Sequence, residues 1–263
     1  EAGIVVINKI DLVDKEWLDL VELEIKEFIK DTFLSNAKII KVSTTTSEGI
    51  DLLKKEILKI SNNKKDKFNR GVFRMFIDRV FTKKGFGTVV TGTVLSGLAN
   101  KGNQIEILPI SENVNIRGTH SHDNNVEQLS IGNRGAINLQ SIDRVQIKRG
   151  YHVGQKGYFS LVNNAAVRIN TLKELKHNQR IRVHLGTQEV MARLLFVNKY
   201  FNNNMLALLK FENRIIASFK DKFIIRTYSP ITTIGGGEVL DINVSGKWNQ
   251  IKKYITGLES KKL

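Results

Sequence analysis

Downstream of residue 67, the apolar residues of this 263-residue chain come in short runs at a spacing of about ten, broken by Gly and Asn. That pattern admits little besides antiparallel β structure. Val72–Ile77, Gly87–Leu95, Gln104–Leu108, Val114–Arg117 and Gly135–Leu139 make one series. A second starts near Ala166 and runs through Arg180–Leu185, Val190–Val197, Met205–Phe211, Lys222–Arg226 and Glu238–Ile242, with Gly235-Gly236-Gly237 expected as a turn before the last strand. Short strands of this kind lose their exposed edges by closing on themselves. The pattern predicts two all-β barrels, over residues 68–155 and 156–245.

Residues 1–62 read differently. Gly3-Ile4-Val5-Val6-Ile7 is a continuous apolar run that ends in a polar loop, as a buried parallel strand does, and Ala37–Val42 reads as a second strand. Between them Trp17, Val21, Ile25, Phe28, Ile29 and Phe33 recur at helical spacing and line one side, with Asp14 as the N-cap. Ile50, Leu53, Ile57 and Ile60 mark another helix. Strand, helix, strand, helix is part of a doubly wound sheet, whose ligands sit beyond the carboxyl ends of the strands. Ser61–Lys67 holds no apolar residue and reads as a linker.

Charge separates the same regions. Residues 1–62 hold 9 Lys and 12 Asp or Glu, a sum of −3, whereas the remainder holds 32 basic and 14 acidic residues, a sum of +18. An anionic partner is therefore expected on the β-rich part. The apolar share of 41% excludes a disordered chain, and the absence of Cys excludes disulfides, thiolate metal sites and cysteine nucleophiles, which fits the cytosol. No apolar run approaches the roughly 18 residues of a membrane helix. The first residues, Glu1-Ala2-Gly3-Ile4, have neither an initiator Met nor a signal layout, so the chain is expected to be a segment of a longer one, and a monomer.

The first chemical motif is Asn8-Lys9-Ile10-Asp11, directly after the first strand. A carboxylate in that loop accepts from both the ring N–H and the exocyclic amino group of guanine, a pair that adenine does not present. Asn8 can bridge such a base and the neighbouring loops, and the Lys9 stem can lie across its ring plane. Val42-Ser43-Thr44-Thr45 ends the next strand, where backbone N–H groups of a polar loop could reach a guanine carbonyl. Asn and Asp are also common turn residues, and Ser43 and Thr44 common helix caps, so the motifs gain force only from their strand-loop-helix placement.

Together these loops resemble the fourth and fifth motifs of guanine-nucleotide-binding GTPases, the fifth with Thr44 in place of the usual Ala. The resemblance implies a partial P-loop GTPase domain over 1–62 that binds GTP or GDP through Asn8, Lys9, Asp11, Ser43 and Thr44. Such domains hold phosphate with Gly-x-x-x-x-Gly-Lys-Ser/Thr and Mg²⁺ with a switch and Asp-x-x-Gly, and none of these is in the sequence. Lys84-Gly85-Phe86-Gly87 and Gly235-Gly236-Gly237 read as turns. No catalytic residue and no Mg²⁺ ligand is assigned, and the chain alone is expected not to hydrolyse GTP.

Phe73–Gly97, with its Asp78-Arg79-Val80-Phe81 and Gly87-Thr88-Val89-Val90-Thr91-Gly92-Thr93, resembles the opening of the second domain of translational elongation factors, and more narrowly of the selenocysteine-specific elongation factors. Gly132–Leu139, Arg182–Thr187 and Phe223–Asp241 extend the likeness. It implies a carrier that binds GTP and selenocysteinyl-tRNA and brings them to a ribosome at a recoded UGA codon. A selenol is an anion at neutral pH whereas the serine hydroxyl is neutral, so a cationic pocket separates the two. The family's pocket falls on Asp78, Arg79 and Arg134, the carboxylate fixing one guanidinium. The resemblance also implies that Lys247–Ile255 begins a helical extension, over 246–263, toward a region that grips a messenger hairpin.

Two other readings stay open: a general elongation or initiation factor for another aminoacyl-tRNA, and a self-standing RNA- or ribosome-binding barrel module. His120 and His122, two apart in a loop, lack a third metal ligand in register. His184 reads as structural or interfacial. Lys64, Lys65, Lys67, Lys83 and Lys84 form a basic zone that contacts RNA or is simply solvated.

Overall fold

The computed structural model of the protein describes residues 3–30, 32–62, 69–122, 124–197 and 205–260. The chain divides into two compact units, residues 1–67 and 68–263. The first carries β1 (Ile4–Ile7), α1 (Lys15–Ile29), β2 (Lys38–Lys41) and α2 (Ile50–Asn62). The strands pair in parallel, Ile4 opposite Lys38 and Ile7 opposite Lys41. Asp14 caps α1 by accepting from Trp17 N at 2.9 Å. The apolar side expected of this helix is mostly exposed, however. Trp17 is 56% and Phe28 85% accessible, while Phe33, at 63%, lies beyond the helix end at Ile29. Two four-residue strands offer too narrow a surface to cover a stripe that wide.

The second unit begins with β3 (Arg74–Lys83), β4 (Gly87–Ser96), β5 (Leu98–Asn100), β6 (Gln104–Leu108), β7 (Glu112–Ser121), β8 (Asn124–Val126), β9 (Gln128–Ser130), β10 (Arg134–Leu139) and β11 (His152–Gln155). The order β10-β4-β3-β11-β6-β7 closes through a β10–β7 pairing, with β8 added to β7 and β5 paired to β9. Met75, Ile77, Val90, Ile107, Ile137 and Val153 fill this barrel. β3 runs six residues past the expected strand end at Ile77, and His120 sits on β7 rather than in a loop.

The second barrel is the closed ring β12-β15-β14-β13-β16-β17, formed by β12 (Leu161–Thr171), β13 (Gln179–Leu185), β14 (Gln188–Phe196), β15 (Met205–Ile216), β16 (Lys222–Thr227) and β17 (Thr233–Ile242). Gly235-Gly236-Gly237, expected as a turn, lies within β17 and pairs with Thr171, Asn170 and Ile169 of β12. A Cβ on Gly237 would stand 2.0 Å from the Arg168 carbonyl oxygen, so here glycine permits close backbone approach rather than a reversal. α3 (Trp248–Ser260) packs Ile251 and Ile255 on Ala166, Leu206 and Leu208 outside this barrel. No described helix is long and apolar enough to cross a membrane.

The barrels share a joint. Phe76 of β3 is part of the second barrel's core, and a Cβ on Gly186 would meet its ring at 2.3 Å. Arg74, 2% accessible, donates from both terminal nitrogens to Asp221, at 2.5 and 2.6 Å. His152 is fully buried between the rings of Phe76 and Phe159, and neither ring nitrogen has a hydrogen-bond partner among the described residues. Burial, then the Arg74 guanidinium, pushes its pKa well down, so the ring is neutral.

Candidate functional site

In the first unit, both sequence-predicted loops leave the same end of the parallel pair. Val42 N donates to Ile7 O at 2.8 Å and Ile10 N to Val42 O at 3.3 Å, so the two loops are stitched together. Lys9 adopts a left-handed conformation, φ 64°, and Lys9 N donates to Asn8 Oδ1 at 2.8 Å. This kink starts a 3-10 turn, Ile10–Leu12, that buries Ile10 and leaves Asn8, Lys9 and Asp11 exposed. Ser43 is spent within its own loop. Its side chain is buried, its hydroxyl accepts from Thr46 N at 3.1 Å, and its N–H donates to Glu48 O at 3.0 Å. Thr44 is exposed, and among the described residues no acceptor faces the N–H of Thr44 or Thr45. Gly49, φ 71°, lets the loop close: a Cβ there would be 2.1 Å from Lys41 O.

In the first barrel, the structure brings Asp78 and Arg134 together. The β3–β4 register slips between Ile77 and Arg79, which makes Asp78 an extra residue in β3. A bulge re-aims a side chain in this way. The freed carboxylate accepts from Thr91 Oγ1 at 2.7 Å and from both terminal nitrogens of Arg134, Nη2 at 3.1 Å. Burial acts to raise the Asp78 carboxyl, but the Arg134 and Thr91 hydrogen bonds outweigh it and hold the group below the usual carboxylate range. Arg79 faces Thr91 and Arg134 faces Thr93 across the ladder, so both guanidiniums share the outer face of the sheet, with β4 between them.

Arg134 borders a hollow of about 350 Å³. Phe81, Phe86 and Val89 supply its apolar wall, and His120, His122 and Lys83 lie around it with Arg134. Asn138 is 3% accessible, and its Oδ1 has no hydrogen-bond partner among the described residues. Ser121 ties the rim together: its hydroxyl donates to Arg134 O at 3.0 Å and sits 3.1 Å from His122 Nδ1. Such a cavity takes a partly apolar group carrying a hydrogen-bond donor and a negative charge. Arg79 does not line it; Arg79 lines a neighbouring hollow with Arg144, Lys148 and Arg149.

Sequence reasoning passed over Asn138, Phe81 and Phe86, and set His120 and His122 aside. The pairing of β10 with β7, which sets His120 opposite Ala136, is a contact between distant strands that no local motif announces. No group of three His, Cys, Asp or Glu that could hold a metal exists among the described residues. His184 lies on the outer face of β13 near Glu189, while the histidine at the barrel joint is His152. Lys64, Lys65 and Lys67 lie outside the described residues; Lys83 stacks over Phe86, 4.8 Å from the ring centre.

Comparison with known proteins finds translation elongation factors. Residues 162–245 match the β-barrel domain of selenocysteine-specific elongation factor, and residues 87–154 match elongation factor Tu domain 2. The selenocysteine-specific elongation factor of Desulfomicrobium baculatum is 31% identical over 247 residues, 91% of this chain and 39% of that protein. Its Escherichia coli counterpart is 26% identical over 257 residues, covering 97% of this chain and 41% of that protein. Among solved structures, bacterial selenocysteine-specific elongation factor EF-Sec superposes with a TM-score of 0.85 at 28% identity, over 99% of this chain and 44% of that one. SelB from Methanococcus maripaludis with the GTP analogue GppNHp gives 0.80 at 25% identity, over 95% of this chain and 60% of that one. Both barrels match elongation-factor domains, and the chain is similar over nearly its whole length to selenocysteine-specific elongation factors, of which it spans about two fifths of the bacterial relatives' length.

Proposed function

We propose that the protein acts in translation as a guanine-nucleotide-dependent carrier of selenocysteinyl-tRNA, delivering it to the ribosome. The observation that carries this reading is Arg134, fixed by Asp78 beside a partly apolar hollow. A selenolate at neutral pH is drawn to a guanidinium held in place, whereas a serine hydroxyl gains little from the charge. The ion pair uses Arg134 donors on one side only, and the remaining N–H groups are available to a ligand.

The loops of the first unit fit guanine. Asp11 supplies a carboxylate for the ring N–H and exocyclic amino group, the Lys9 stem covers the ring, and the free N–H groups of Thr44 and Thr45 suit the base carbonyl. Ser43 shapes that loop instead of touching the base. GTP or GDP would be held here by its base. No residue of this chain is assigned to the phosphates or to Mg²⁺, and the sequence has no Gly-x-x-x-x-Gly-Lys-Ser/Thr element.

The test compares selenocysteinyl-tRNA with seryl-tRNA on the same tRNA body, under reducing conditions, with the protein and its Arg134→Ala variant. The variant is expected to lose about tenfold on the selenocysteine form and little on the serine form. Equal losses on both would overturn the reading.

A further inference from the structure

A hollow of about 300 Å³ opens at the joint between the two barrels, where the start of β3 and the end of β4 meet the β13–β14 hairpin and the loop before β16. That volume is at the lower end of the range for small-molecule sites, roughly 300–1,000 Å³, and such sites favour domain junctions. Phe76, Leu95 and Leu185 form its apolar wall. Arg70, Arg74, Lys220 and Lys222 supply its cations, and Asp221 is the one carboxylate among the described lining residues.

Charge in this hollow is divided unevenly. Asp221 accepts from both terminal nitrogens of Arg74 and from Ser218 N at 2.9 Å, and Arg70 stands 3.7 Å away, so one carboxylate faces two guanidiniums. Glu238, outside the hollow, accepts from Lys222 at 3.0 Å. Arg74 is 2% accessible, and its Nε has no hydrogen-bond partner among the described residues. Burial lowers the Arg70 pKa, Asp221 acts to raise it, and the Arg74 charge lowers it again. Positive charge is thus disfavoured on this side of the joint, and an anion placed there would relieve it.

Both sides of the hollow are fixed before any ligand arrives. Thr187 Oγ1 donates to Ile77 O at 2.8 Å, which ties the β13–β14 hairpin to β3. Lys220, at φ 64°, donates its N–H to Val239 O at 2.8 Å, and Asp221 N donates to Ser218 O at 3.1 Å. Ser96 Oγ donates to Val72 O at 2.6 Å and secures the end of β4. Leu95 is 40% accessible, so the apolar wall can be reached from solvent.

We propose that this joint hollow is a binding site for a small organic anion, its apolar body against Phe76, Leu95 and Leu185 and its phosphate or carboxylate toward Lys220 and the guanidiniums. Such a ligand touches both barrels, so its binding stabilises them as a pair. The hollow shares no described lining residue with the Arg134 hollow, and the proposal does not depend on the carrier reading.

The experiment titrates phenyl phosphate and benzoate, each an apolar ring carrying an anion, into the full chain by calorimetry, with inorganic phosphate and phenol as the separate halves. At least one of the two ring anions is expected to bind saturably, one per chain, about tenfold or more tighter than either half. At ten times its dissociation constant it should raise the thermal midpoint by about 3–5 °C. Leu95→Trp, which fills the hollow, should abolish this binding, and Lys220→Gln should weaken it about fivefold. Unliganded midpoints show whether the two variants fold. Arg134→Ala and Arg79→Ala should bind as the parent does. Absence of saturable binding by both ring anions would overturn the proposal, as would inorganic phosphate binding equally well. Binding that survives both Leu95→Trp and Lys220→Gln, or that Arg134→Ala abolishes, would place the ligand elsewhere and overturn it too. Failure of the carrier reading shows in tRNA binding and leaves these titrations unchanged.

Discussion

The carboxylate of Asp78 receives both terminal nitrogens of Arg134, a residue 56 positions away on β10, a strand that β3 does not pair with. Two features make the contact possible: the bulge that turns Asp78 outward, and Thr91 of the intervening strand, which holds the carboxylate at 2.7 Å. Arg134 has a 52% accessible side chain, so the pair adds little to stability, under about 1 kcal/mol. Its effect is to orient a guanidinium before any ligand arrives.

Replacing Asp78 by Asn keeps the shape and removes the charge. Selenocysteinyl-tRNA affinity is expected to fall about fivefold while the thermal midpoint hardly moves, as titration and calorimetry will show. Because the Asp78 carboxyl lies below its ordinary range, the pair is complete above the unfolded value of about 3.9 and is lost only as pH falls through the depressed folded value. Between pH 5 and 8 the carboxyl resonance should therefore not titrate.

Asp11→Asn exchanges an acceptor-only group for one that also donates. Guanine is deprived of a charge-assisted hydrogen bond of roughly 2–3 kcal/mol, about a hundredfold in affinity. Xanthine, which presents a carbonyl where guanine has its amino group, should bind the variant better than guanine does. Competition between GDP and XDP measures the exchange, and unaltered GDP preference would remove Asp11 from the base site.

Arg74 and Asp221 form the buried clamp at the barrel joint. Arg74→Met strands a carboxylate that is 10% accessible, with Arg70 3.7 Å away as its remaining cation. The expected cost is about 3–5 kcal/mol in denaturant unfolding. Pairing Arg74→Met with Asp221→Leu should recover most of it, since no buried charge is then left alone.

His152 makes the second unit acid-sensitive. Its folded pKa is depressed, so its neutral form contributes fully above the unfolded value of about 6.5, and stability declines as pH drops below that toward the folded value. The slope from this group reaches at most about 1.4 kcal/mol per pH unit. His152→Leu should flatten the curve between pH 6.5 and 5, and an unflattened curve would assign the acid sensitivity to another group.

Two glycines separate crowding from backbone freedom. Gly237→Ala places a Cβ 2.0 Å from Arg168 O and should prevent the second barrel from closing, read as loss of cooperative unfolding. Gly85→Ala meets nothing within 4 Å and costs only the strain of φ 81°, about 1 kcal/mol.

Much of this architecture was legible from local pattern. Alternation and Gly punctuation marked ten strands of the barrels, and apolar runs marked both parallel strands, because side-chain periodicity reports directly on which face is buried. Asn8, Lys9 and Asp11 could be placed on one loop because a strand end and the kink after it are local features. The exposed apolar residues of α1 show the limit of the same rule: periodicity assigns a stripe to one side but does not say whether neighbouring strands are wide enough to cover it.

What the sequence determined by itself was the β character of the long downstream region, the parallel strand pair upstream, and the placement of Asn8, Lys9 and Asp11 in the loop after the first strand. Tertiary structure decided which of those residues meet. A strand register fixes the partner of every side chain across the ladder, and one bulge at Asp78 shifted it, joining Asp78 to Arg134 and sending Arg79 to the hollow of Arg144, Lys148 and Arg149. Barrel closure added Asn138 and His120, and the barrel joint buried His152 and Arg74. Such contacts join residues dozens of positions apart, and their energies come from burial and pairing that no short window of sequence contains.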